Sequence, residues 1–151
     1  MHIGDIVHEE MRLSEGGKIA DECWRNIPIH YPSVFLDEYI VMPNHVHGVI
    51  FIDNDGVGVQ NFEPLQWQVT RENKFQQIIP KSVGSIVRGF KTGVTKWFRQ
   101  NTDVYTVWQS NYFDRIVRDD DELNRIRGYI LYNPLKWADN SPREIFLHLL
   151  Q

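Results

Sequence analysis

The sequence predicts an α+β fold, a small antiparallel sheet with helices packed on one face. Three observations carry it. Two apolar runs, residues 34–42 and 46–52, alternate well enough for paired strands and are joined by Pro43-Asn44. Two stretches, 83–99 and 119–133, carry apolar residues at helical spacing. Strands and helices come in runs rather than in strict alternation, as in α+β chains. With 151 residues, 42% apolar and 13% aromatic, the chain suffices for a single domain over residues 1–151 with a buried core.

Each element has its own signals. Residues 15–27 read as a helix with Ile19, Cys23 or Trp24, and Ile27 on one side; Gly16-Gly17 sits near its start and Pro28 stops it. Strand 34–42 turns at Pro43-Asn44 into strand 46–52. Residues 53–80 open with Asp53-Asn54-Asp55-Gly56, stay largely polar and read as a flexible insertion. Helix 83–99 carries Val83, Ile86, Val87, Phe90, Val94, Trp97 and Phe98 on one stripe. Its Gly89 and Gly93 each cost about 1 kcal/mol against alanine. They lie four apart and so predict a close approach, either in tight packing on a sheet or to a nucleic-acid backbone. Residues 104–108 and 112–118 read as short strands. Asp119, with Glu122 three residues on, has the form of a capping box ahead of helix 119–133. Leu123, Ile126 and Ile130 form that helix's buried stripe, and Pro134 ends it. Ser141-Pro142 starts a short helix over residues 141–150.

Net charge is −4, and its distribution matters more than its sum. Residues 71–99 hold seven basic residues, Arg71, Lys74, Lys81, Arg88, Lys91, Lys96 and Arg99, against one acid, Glu72. That is a +6 segment on a remainder of −10. Such a segment can meet phosphate on one face; a solvated helix surface is the plainer account of the same run. The one cysteine, Cys23, permits no internal disulfide and fits a reducing compartment. No signal peptide and no bilayer-spanning apolar run can be read, so a cytoplasmic location without membrane contact is expected.

Two constellations carry chemistry. In Pro43-Asn44-His45-Val46-His47, strand alternation points His45 and His47 the same way and Val46 into the core. Paired imidazoles on a rigid element suit a divalent metal, although two half-exposed histidines on a strand edge would look the same. On helix 119–133, Arg125, Tyr129 and Asn133 are spaced four apart and share a face. Were that face to meet the histidines, two nitrogens and an amide oxygen would leave metal positions open for a phosphate, beside a phenol able to attack it. Read alone, Tyr129 is an amphipathic residue at the core's rim and Asn133 a helix-end residue before proline.

Four segments, in order, resemble the HUH single-tyrosine transposases, and in particular the REP-associated tyrosine transposases. Val41-Met42-Pro43-Asn44-His45-Val46-His47-Gly48 looks like the family's His-hydrophobe-His strand. Residues 85–96, from Ser85-Ile86-Val87-Arg88 to Lys96, resemble its basic middle helix. Trp108-Gln109-Ser110-Asn111-Tyr112-Phe113-Asp114-Arg115 resembles its strand entry. Tyr129-Ile130-Leu131-Tyr132-Asn133-Pro134 resembles the helix of the nucleophilic tyrosine. The resemblance implies a ferredoxin-like fold and a transposase that cuts and rejoins single-stranded DNA at a hairpin. Tyr129 would form a 5′-phosphotyrosine. His45, His47 and Asn133 would hold Mg²⁺ or Mn²⁺. Arg88, Lys91, Lys96, Arg99, Arg115 and Arg125 would contact DNA. A domesticated relative that binds hairpin DNA without cutting is the alternative, and a water-using phosphodiesterase a third reading. Monomer and homodimer are both open.

Two departures stand out. The family's apolar strand before the first helix is expected to be missing or shortened here, since the chain opens Met1-His2-Ile3-Gly4. The aromatic pair, acid and histidine of the family read here as Tyr112-Phe113-Asp114-Arg115. Tyr132 and Tyr112 are the rivals of Tyr129 as nucleophile.

Overall fold

Strand β1 (Gly4–Val7) and strand β2 (Glu10–Leu13) form an antiparallel hairpin of their own, turning through His8 and Glu9, both at positive φ (51° and 66°). The computed structural model describes residues 2–53, 82–109, 111–137 and 145–150. Helix α1 (Glu15–Arg25) begins where Ser14 accepts a hydrogen bond from Gly17 N–H, and Asn26 closes it. Pro28 then sits in the first turn of a short helix α2 (Ile27–His30) instead of ending order there. Strand β3 (Val34–Val41) passes through Pro43-Asn44 into strand β4 (Val46–Ile52), with Met42 N–H donating to His45 O at 2.8 Å across the two-residue turn. Helix α3 (Val83–Asn101) is capped by Ser82 and buries Ile86, Val87, Phe90, Val94 and Phe98. Strand β5 (Phe113–Ile116) precedes helix α4 (Asp120–Leu131), a 3₁₀ turn (Pro134–Lys136) and strand β6 (Ile145–Leu150).

The four-stranded sheet has the order β3-β4-β6-β5. Strands β3 and β4 are antiparallel, while β6 runs parallel to both β4 and β5. A parallel pair needs a crossover, and α4 supplies it between β5 and β6. Alternation along β4 separates two cores. Val46 and Ile50 join Val34, Leu147 and Leu149 in a cluster with Trp24 of α1 and the buried stripe of α3. Val49, on the opposite face, packs with Val117 and with Leu123 and Ile130 of α4. Gly48 makes the first packing possible: a Cβ there would lie 2.1 Å from the Trp24 ring.

The α+β class holds, with the sheet flanked by helices on both faces and mixed in direction. Residues 104–108 form no strand, although Val107 is buried. The helix expected over 141–150 is replaced by β6. Its run Ile-Phe-Leu-His-Leu-Leu suits an inner parallel strand, and pairing on both sides outweighs the local Ser-Pro helix signal. The N-terminal strand is short rather than missing, and it pairs in a separate two-stranded sheet. The insertion expected at 53–80 falls, beyond Asp53, outside the described residues, as do Arg71, Lys74, Lys81 and residues 141–144. Among the described residues, no helix is long and apolar enough to cross a membrane.

Candidate functional site

Strand β4 and helix α4 bring the two constellations together. The rings of His45 and His47 lie 4.7 Å apart between centroids and nearly perpendicular, at 88°. Tyr129 meets His47 edge-on, with centroids 5.3 Å apart at 89°. Trp137, beyond the 3₁₀ turn, stacks on His45 at 5.9 Å. Asn133 lies four residues from both Tyr129 and Trp137. Its backbone keeps helical angles, φ −59° and ψ −42°, and its side chain is buried. In the chain, Asn133 stands between the two residues that contact the histidine pair. The Asn133 Nδ2 has no hydrogen-bond partner among the described residues.

Burial decides the charge state. His45 and His47 are 4% and 5% exposed. Desolvation of the imidazolium pushes His45 down to about 4. It pushes His47 down to about 3, with His45 and His148 adding to the effect. Both rings are neutral at pH 7, the form that can bind a metal. His45 Nδ1 lies 2.7 Å from Asn44 Oδ1. An amide oxygen accepts, so Nδ1 carries the proton and Nε2 keeps its lone pair. Tyr129 stays half exposed to solvent. Its rivals stand elsewhere: Tyr112 is partly buried against the α3 core, and Tyr132 is an exposed residue at the C-cap of α4. Among the described residues, no three His, Cys, Asp or Glu side chains gather as for a metal ion.

The six basic residues divide. Arg88, Lys91, Lys96 and Arg99 line a groove of about 870 Å³ between α3 and residues 105–109 and Tyr112, with Tyr105 and Trp108 among its lining. Lys91 Nζ donates to the carbonyls of Gln109 and Asn111, at 2.8 and 2.9 Å, and so holds the far wall. The groove is built on α3, which covers the face of β4 opposite the histidines. Arg115 forms an ion pair with Glu122, and Arg125 Nε donates to Asp121 O at 3.4 Å. Neither lines the groove. Gly89 and Gly93 face Tyr31 and Cys23, whose atoms lie 2.9 and 3.1 Å from a Cβ built there. The glycine pair therefore serves packing of α3 on its helical neighbours rather than the packing on a sheet that the sequence predicts.

Some of this geometry had no sequence signal. Arg127 of α4 grips Asp37 of β3 across 90 residues, Nε donating to Oδ1 at 2.8 Å and Nη2 to Oδ2 at 2.5 Å. The guanidinium holds the Asp37 carboxyl below the usual carboxylate range. His148 on β6 pairs with Val49 and Arg115 on the histidine face, with its Nδ1 buried and unpartnered among the described residues. Asn44 was the one partner that adjacency to His45 could have revealed.

No family model and no solved structure matches the chain. A protein of Haemophilus influenzae named "Putative REP-associated tyrosine transposase" is 26% identical over 111 residues, 71% of this chain and 52% of that protein. The chain thus spans about half of that relative's length. A second protein of the same organism, named "Uncharacterized protein", is 42% identical over 138 residues, covering 91% of this chain and 75% of its own. At that identity and coverage, this chain belongs to the same family as the uncharacterized Haemophilus influenzae protein.

Proposed function

We propose that the protein is a DNA strand transferase that cuts and rejoins single-stranded DNA beside a hairpin through Tyr129. The observation that carries this reading is the edge-on contact of Tyr129 with His47, next to His45. The distant likeness to a transposase-named relative supports it. Tyr129 Oη attacks the phosphorus of a phosphodiester, and the bond from phosphorus to the 3′ oxygen breaks. The phenolic proton passes to solvent, which reaches the half-exposed ring, and the departing 3′ oxygen takes up a proton. The product is a 5′-phosphotyrosine and a free 3′-hydroxyl. No water is consumed, so the reverse attack rejoins a strand.

The donor set fits a divalent ion: neutral His45 with Nε2 free of its proton, neutral His47, and the Asn133 amide. These three would hold Mn²⁺ or Mg²⁺. When bound, such an ion neutralises charge on the phosphate oxygens. Trp137 keeps the His45 ring flat against it and shields one side from water. The α3 groove, with four cations and Tyr105, is the surface we assign to the DNA backbone outside the cut. The partner is a single-stranded DNA hairpin, and a homodimer is compatible with this assignment.

The test is adduct formation. The protein is incubated with Mn²⁺ and labelled hairpin oligonucleotides, then run in denaturing detergent. A labelled protein band is expected, and Tyr129→Phe lowers it on the order of 10⁴-fold or more, the scale of losing a covalent nucleophile. Cleavage without adduct would assign the site to hydrolysis. Binding with neither would make the protein a hairpin-binding module.

A further inference from the structure

Helix α4 is tied to both edges of the four-stranded sheet. The order β3-β4-β6-β5 makes β3 and β5 the edge strands. Arg127 reaches β3, where Asp37 takes two prongs of its guanidinium, while Asn124 of α4 itself accepts a further bond through Oδ1 at 3.3 Å. Asp37 sits within the irregularity of the β3–β4 register between Leu36 and Tyr39. Glu122 reaches β5, pairing with Arg115, while its second oxygen accepts Arg118 N–H at 3.0 Å. The signs are reversed: the helix offers a cation to one edge and an anion to the other. A reversed helix would set like charges together at both edges, which is costly. Arg127 lies two residues before Tyr129, and Tyr129 touches His47 on the inner strand β4.

We propose that Asp37, Arg127, Arg115 and Glu122 are positioning residues, two opposed ion pairs that set the slide and rotation of α4 and so hold Tyr129 against His47. This rests on the reading of Tyr129 as the nucleophile. Stability is a poor reason for the arrangement. The Arg115 and Arg127 side chains are 66% and 40% exposed, so water screens the cation of each pair and limits what it contributes, although the Glu122 side chain is 9% exposed. Geometry is a better one, because a misplacement of about 1 Å at a reacting atom can cost about 100-fold in rate.

The test separates rate from binding. Asp37→Asn, Arg127→Gln and Glu122→Gln are compared with the wild type in Mn²⁺ at saturating hairpin oligonucleotide. The rate of adduct formation is expected to fall about 10-fold or more, with hairpin affinity held within about twofold. The exchanged pair, Asp37→Arg with Arg127→Asp, is expected to recover most of the rate. Arg127→Lys, which keeps the charge but one prong, should fall between, and it serves if Arg127→Gln does not fold. A second readout needs no activity. The ring-proton resonances of His47 feel the Tyr129 ring, so Arg127→Gln should move them toward their positions in Tyr129→Leu. Unchanged rates together with unchanged His47 resonances overturn the proposal. If the wild type forms no adduct, the nucleophile reading falls, and the His47 resonances alone then decide whether the ion pairs position the helix.

Discussion

Burial keeps His45 and His47 neutral at pH 7 and also makes them sensitive to acid. An unfolded histidine titrates near 6.5. In the folded chain the values are about 4 and about 3. Between those limits the unfolded chain binds protons that the folded one refuses. The stability contributed by the neutral rings is therefore complete above pH 6.5. Its loss begins as pH falls below 6.5 and is complete only below about 4 for His45 and about 3 for His47. At pH 5, in chelator, the pair should have cost on the order of 2–3 kcal/mol, allowing for the water that still reaches each ring. Urea unfolding of the wild type at pH 7 and pH 5, beside the His45→Gln, His47→Gln double variant, checks this. A variant that keeps the whole pH slope would remove these two residues as its cause. Asn44 adds a directional element, since its oxygen, 2.7 Å from His45 Nδ1, accepts from the tautomer protonated at that nitrogen.

At the scale of elements, the site depends on how closely β4 approaches α1. Gly48 separates His47 from Val49 and leaves room for the Trp24 ring, which stacks on Tyr39 and meets Phe90 edge-on. Gly48→Ala should destabilise the protein by about 1–3 kcal/mol, the usual cost of an extra methyl in a packed core. The midpoint of urea denaturation reads it, and an unchanged midpoint would contradict the contact. Helix α4 depends on its start. Asp119 accepts from Glu122 N–H at 2.7 Å, as in a capping box. The return bond goes to Arg118 N–H, one residue before the cap. That shift leaves the other Glu122 oxygen for Arg115, so one residue both starts the helix and ties it to β5.

For the whole molecule, β6 is the strand on which the sheet depends. It alone joins β5 to the β3–β4 pair, and it delivers Leu147 and Leu149 to the core. Truncation after residue 144 should abolish cooperative unfolding, followed by circular dichroism against temperature; a retained sharp transition would show that the sheet closes without β6. The molecule also separates its two surfaces. The basic groove stands on the α3 side of the sheet and the histidine site on the α4 side. Lys96→Ala and Arg99→Ala should each lower the slope of log affinity against log salt by about 0.7 for single-stranded DNA. Adduct formation at saturating DNA should remain. An unchanged slope would take the groove out of DNA binding.

The sequence by itself determined the elements whose causes are local. Helix α3 followed from its stripe, α4 from Asp119 and Glu122, and the β3–β4 hairpin from alternation around Pro43-Asn44. It also put His45 and His47 on one side of a strand, and Tyr129 and Asn133 on one side of a helix, because side-chain period is a property of the backbone. Only the tertiary structure decided that those two sides meet. It turned residues 145–150 from a helix signal into the central strand β6. It gave Arg115 to Glu122, and Arg127 to an aspartate 90 residues away. These outcomes rest on pairing between distant segments, whose free energy exists only once the chain has closed on itself and leaves no mark in a local window.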